Sequence, residues 1–213
     1  MRMFLATLCA ALVLTGCQSA YYAAAEQVGY HKREILVDRV EDARDAQADA
    51  EEQFVSAQEQ LMTLIAFDGG DLQRVYDDLA AEYEASVDAA DRVSARIDAI
   101  VDVAEALFDE WDAELAEYSN ERLRADSERK LRETRRRYES LVKVMRRSEQ
   151  RMEPVLAALK DNVLYLKHNL NARAVSALKL EFRQIDQDID LLVAEVRKAI
   201  ASSDEFIDSL QAD

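Results

Sequence analysis

The chain has 213 residues, of which 33% are charged and only 7% aromatic, and its formal net charge is −16. That acidic balance argues against nucleic acid as a partner and against adsorption of the body to an anionic lipid surface. Four glycines and one proline are far below ordinary usage, which favours long uninterrupted helices over many short elements.

The chain opens with the parts of a secretory leader. Arg2 supplies the positive charge, and Phe4 to Leu14 form an apolar run too short to span a bilayer, which needs about 20 residues. The run ends in Leu14-Thr15-Gly16-Cys17, the spacing of a bacterial lipobox. Residues 1–16 are therefore expected to be a cleaved signal peptide, with Cys17 as the lipidated N-terminus. Cys9 leaves with the leader and Cys17 is consumed by lipid, so cysteine redox and metal chemistry are closed. Several acyl chains on one Cys anchor stably, where a single chain does so only marginally. Gln18 follows the Cys; an Asp there favours inner-membrane retention in enteric bacteria, so an outer-membrane anchor facing the periplasm is expected. Residues 17–33 form the tether, with Tyr21, Tyr22 and His31-Lys32-Arg33 expected near the lipid head groups.

Residues 34–213 read as one helical domain, with helices at about 34–67, 71–118, 121–169 and 172–210. Asp68-Gly69-Gly70-Asp71 marks the clearest break: glycine can take the backbone conformation that ends a helix, and Asp71 can cap the next. Ser119-Asn120 and Asn169-Leu170-Asn171 mark the others. Apolar residues recur in steps of three and four. The seams include Leu36, Val40 and Phe54 in the first stretch, and Leu79, Val93 and Ile97 in the second. Leu141, Met145 and Met152 mark the third, and Phe182, Ile189 and Val196 the fourth. Gln47 interrupts the first seam. Heptads sustained this long predict an all-α fold, an elongated antiparallel coiled coil or four-long-helix bundle. Pro154, inside the third stretch, predicts either a kink or the start of a new helix. One compact bundle and two hairpins joined at a kink both remain open.

Charge is unevenly spread. Asp71 to Glu117 carries 15 Asp/Glu against three Arg, and Glu121 to Arg151 carries 12 Lys/Arg against six Asp/Glu. These runs flank the Ser119-Asn120 turn, so an antiparallel hairpin would lay them side by side and let charge set register. Arg135, Arg136, Arg137, Arg146 and Arg147 are the candidate anion-binding residues, because consecutive residues point in different directions and cannot all face the acidic helix.

Residue patterns for catalysis are missing. Neither His31 nor His168 has a second His at metal-ligand spacing or completes the Glu-x-x-His pattern of di-iron bundles, no phosphate-binding Gly loop or nucleophile elbow occurs, and no metal, cofactor or small-molecule substrate is implied. The expectation is a non-enzymatic structural or adaptor lipoprotein. It is held to the membrane through acylated Cys17 and engages an envelope protein or itself. The alternative is an envelope module that binds anionic glycan or lipid through the arginines.

Ordered blocks along the chain support one further reading. They include Gly16-Cys17-Gln18-Ser19-Ala20-Tyr21-Tyr22, Phe67-Asp68-Gly69-Gly70-Asp71-Leu72 and Ala106-Leu107-Phe108-Asp109-Glu110-Trp111. Thr134-Arg135-Arg136-Arg137-Tyr138, Met152-Glu153-Pro154-Val155-Leu156 and Leu166-Lys167-His168-Asn169-Leu170-Asn171 continue the set. The chain resembles the uncharacterised bacterial lipoproteins grouped as domain of unknown function 2959. The resemblance implies a helical periplasmic lipoprotein without established activity, and it supplies no catalytic residues.

Overall fold

The computed structural model describes residues 32–69 and 71–212. Cys17, Tyr21, Tyr22 and His31 lie outside the described residues. Helix α1 spans Lys32–Ile65, α2 Leu72–Glu114 with a 3-10 turn at Leu115–Glu117, and α3 Glu121–His168. The short α4 covers Ala172–Ala177, and α5 covers Lys179–Ala212. No strand occurs among the described residues. The long helices are about 50–70 Å at roughly 1.5 Å per residue.

The predicted breaks are capped by the residues the sequence nominated. The Asp71 carboxylate accepts from the Arg74 amide at 3.1 Å. The Asn120 side chain accepts from the amides of Arg122 and Leu123, and that of Asn171 from Ala174. Each satisfies a donor that the first helical turn leaves unpaired. Gly69 has φ 149°, which L side chains rarely adopt. Three boundaries differ from the expected ones. The second helix tightens into its 3-10 turn three residues early, and the fourth stretch breaks at Leu178 into α4 and α5. The first begins at Lys32, inside the expected tether. Pro154 neither ends nor starts a helix: α3 runs through it, with the proline exposed on its outer side.

The four long helices form one bundle, not two separate hairpins. Packing runs α1–α2, α2–α3, α3–α5 and α5–α1, so α1 and α3 lie on a diagonal. The seams are the core: Leu36, Val40, Phe54, Ile97, Met145, Phe182 and Val196 are fully buried. Burial of such side chains is the main favourable contribution to folding, at roughly 25 cal/mol per Å² of apolar surface. Gln47, which breaks the first seam, is nevertheless buried and donates across the diagonal to Ser148 Oγ at 3.1 Å.

The bundle has two different ends. Lys32 Nζ pairs with Glu110 at 2.9 Å, and the Arg33 guanidinium donates to the Leu210 carbonyl. The start of α1 and the end of α5 therefore sit at the level of Glu110. Among the described residues, only α2 and α3 continue beyond that level, to the turn at Ser119-Asn120, an overhang of about 12 Å at ~1.5 Å per residue. Trp111 Nε1 donates to Ser127 Oγ at 2.8 Å and ties the two helices together there. Tyr118 and Leu123 are exposed at its tip.

Candidate functional site

The five nominated arginines do not converge on one face. Arg135 pairs with Asp112 at 2.9 Å and lies over the Phe108 ring, 5.0 Å from its centroid. Arg146 pairs with Asp98 and, at 3.0 Å, with Glu149. Both therefore point to α2. Arg147 points to α5, where it meets Glu195 at 3.3 Å. Lys198, then Arg147, hold the Glu195 carboxyl below the ordinary carboxylate range. Arg137 borders a cleft towards α5 with Ser140, Ser202 and Ser209, and Arg136 is exposed. Other cations of the basic run pair along their own helix, as in Arg124 with Glu121 and Arg132 with Glu128.

Phe108 also meets Tyr138 edge to face, with centroids 5.3 Å apart. Burial, then the nearby Glu105 carboxylate, raises the Tyr138 hydroxyl above its ordinary value. Folding thus favours the protonated phenol. Its stabilisation is present below the ordinary tyrosine range and is lost as pH rises through the raised value. Alkaline titration of unfolding should show this loss, and Tyr138→Phe should diminish it. An unchanged alkaline limb would contradict the assignment.

The most site-like feature lies on the α2–α3 flank. Acidic residues recur every seventh position along α2, at Glu84, Asp91, Asp98, Glu105 and Asp112. A seven-residue recurrence keeps side chains on one face, and this face looks towards α3. Near the overhang the recurrence meets cations, in the Asp112–Arg135 and Asp98–Arg146 pairs. One step further along, the match fails. Asp91 shares a cleft of about 520 Å³ with Glu149, Gln150 and Glu153. Glu149 is held by Arg146, but no cation pairs with Asp91 or Glu153 among the described residues.

This cleft is continuous with a second, of about 580 Å³, through shared Tyr83 and Lys160. Together they make an open groove between α2 and α3. Its apolar lining includes Tyr76, Tyr83, Val87, Ala90 and Leu156; Lys160 stands where the two clefts meet, and Glu84 and Lys167 line the second. Tyr76, Tyr83, Ala90 and Leu156 are seam positions. The heptads place them in the core, yet each is only half-buried. The groove could not be read from apolar periodicity, because a seam position looks the same whether the bundle covers it or not. The acidic recurrence was a readable sign, since it continues to a level where α3 supplies Glu153.

Among the described residues, no group of three or more His, Cys, Asp or Glu is arranged to hold a metal ion. No described helix is long and apolar enough to cross a membrane. No curated protein matches the chain. A sequence profile of proteins of unknown function, DUF2959, matches residues 21–210, so the chain belongs to that family.

Proposed function

We propose that this family member is a lipid-anchored structural or adaptor protein of the cell envelope, acting by contacts with another protein and not by catalysis. The observation that carries the anchor is the Leu14-Thr15-Gly16-Cys17 sequence at the end of the apolar leader. The helical body begins at Lys32, so the intervening tether reaches at most about 50 Å at ~3.3–3.6 Å per residue. In this arrangement the end carrying the α2–α3 overhang faces the membrane. The opposite end, with the α1–α2 connection and α4, faces the periplasm. The acidic body agrees with a rod held off an anionic surface by its anchor. Gln18 after the Cys favours the outer membrane.

The contact function draws on the long bundle and its open flank, which offers binding surface along a helix pair. Metabolic labelling tests the anchor. Labelled palmitate should enter the wild type, and Cys17→Ala should abolish incorporation and move the protein to the soluble fraction. Equal labelling of both proteins would remove the lipid anchor from the proposal.

A further inference from the structure

We propose that the α2–α3 groove seats one amphipathic helix of a partner protein, with a cationic side chain at the level of Asp91 and Glu153. The inference rests on the adaptor reading above, and it names the surface used and the chemistry of the helix that fits it.

Length, apolar lining and charge support the same occupant. From Tyr76 to Ser94 the groove follows α2 for about 27 Å, or roughly five helical turns. Its floor is built from half-buried seam residues. The seam continues there, but the bundle's own helices leave it partly uncovered. A helix laid along Tyr76, Tyr83, Ala90 and Leu156 would complete a burial that the heptad pattern begins.

Charge then selects the kind of helix. Nearer the overhang, Arg135 and Arg146 pair with Asp112 and Asp98 of the recurrence, and Glu105 between them lies near Tyr138. At Asp91 the recurrence meets Glu153 instead, so two carboxylates without cation partners among the described residues border one cleft. Like charges at one mouth disfavour each other and attract a cation from outside. Lys160, where the two clefts meet, and Lys167 outnumber the single carboxylate of the second cleft, Glu84, and make that end of the groove the more basic one. The complementary helix is therefore cationic where it passes Asp91 and acidic where it passes the lysines. Charge sets its orientation, and the apolar floor supplies most of its affinity.

The test uses the full-length lipidated protein in detergent micelles and a synthetic amphipathic peptide of about 18 residues. The peptide carries a Leu/Ala stripe, two Lys in one half and two Glu in the other. A control isomer replaces both Glu by Lys and both Lys by Glu. A third peptide keeps two Glu in each half. By fluorescence anisotropy, the mixed-charge peptide should bind at least about tenfold more tightly than the all-Glu peptide, a gap that narrows with salt. Asp91→Lys with Glu153→Lys should remove or reverse that gap. Both positions are exposed, and unchanged circular dichroism would show that the fold persists. A photo-crosslinking residue at Val87 should capture the mixed-charge peptide, and one at Leu191, on the outer face of α5, should not.

Equal binding of the mixed-charge and all-Glu peptides, an unchanged gap in the double variant, or capture at Leu191 in place of Val87 would overturn the proposal. So would dimers of this chain formed through Val87 without peptide, which would make a second copy the occupant. The control isomer reads orientation, because an antiparallel helix reverses which half passes Asp91; binding by neither isomer would overturn the proposal. The same crosslinkers in cells separate this inference from the adaptor reading. Capture of an envelope protein at Leu191 alone would overturn the groove and keep the adaptor. Capture at neither position would overturn both.

Discussion

Phe54→Ala should lower the stability of the bundle by about 3–5 kcal/mol, the usual cost of deleting a buried aromatic side chain. Phe54 has no exposed surface and is among the largest fully buried side chains. It belongs to the hydrophobic core cluster to which all four long helices contribute. Helices of this kind gain little from propensity alone, and most of their stability comes from packing one face. Removing the ring deletes apolar burial and leaves a cavity that four fixed helices cannot fully close. Thermal unfolding should show a melting point roughly 10 °C lower, given about 2–4 °C per kcal/mol for a chain of this size. Leu191→Ala provides the control. Leu191 is 55% exposed on α5, so its truncation should leave the melting point nearly unchanged. A Phe54→Ala shift no larger than that of Leu191→Ala would contradict the packing described above.

Gln47→Leu should change stability in the opposite direction, raising it by about 1–2 kcal/mol. Gln47 is fully buried. Its amide nitrogen donates to Ser148 Oγ, and that hydroxyl donates onward to the Met145 carbonyl at 2.7 Å. Its Oε1 has no donor among the described residues. The amide therefore loses water on one side and regains only part of its hydrogen bonding. Leucine has a similar volume, fits the seam and brings no polar atom. Ser148 keeps its bond to Met145 after the substitution. A fall in melting point would show that Oε1 is satisfied in solution, and a rise would show the cost the glutamine imposes. The pair gives a reason for bearing that cost. A repeating apolar seam tolerates slippage by a heptad, whereas one polar pair across the diagonal exists at a single level. In the variant, denaturant unfolding should have a higher midpoint.

Much of this molecule is legible along the chain. Apolar steps of three and four located the helices because only those spacings keep residues on one helical face. Asp71, Asn120 and Asn171 announced the helix starts because their short side chains can reach back to unpaired amides. The oppositely charged runs beside Ser119-Asn120 foreshadowed Arg135–Asp112 and Arg146–Asp98, because a short turn leaves the two helices antiparallel. The reach of local reasoning ends where two helices must be compared at the same level. Pro154 looks disruptive in sequence, but it stands on an exposed side of α3, where a lost hydrogen bond can be offset by water. Gln47 looks like a gap in the seam until Ser148 is placed across the diagonal. The arginine run looks like a cluster, yet residues about 100° apart on one helix are drawn to different neighbours.

The sequence by itself determined that this chain is all-helical and where α2, α3 and α4 begin. Spacing, caps and apolar runs are local properties and need no knowledge of neighbours. Only the tertiary structure decided that the rod is a single four-helix bundle, with the overhanging α2–α3 hairpin at the end where α1 starts. It also decided that Tyr76, Tyr83 and Ala90 border an open groove in place of a closed core. Whether a seam is covered depends on the distance and register between α2 and α3. Those are set by the packing of all four helices together.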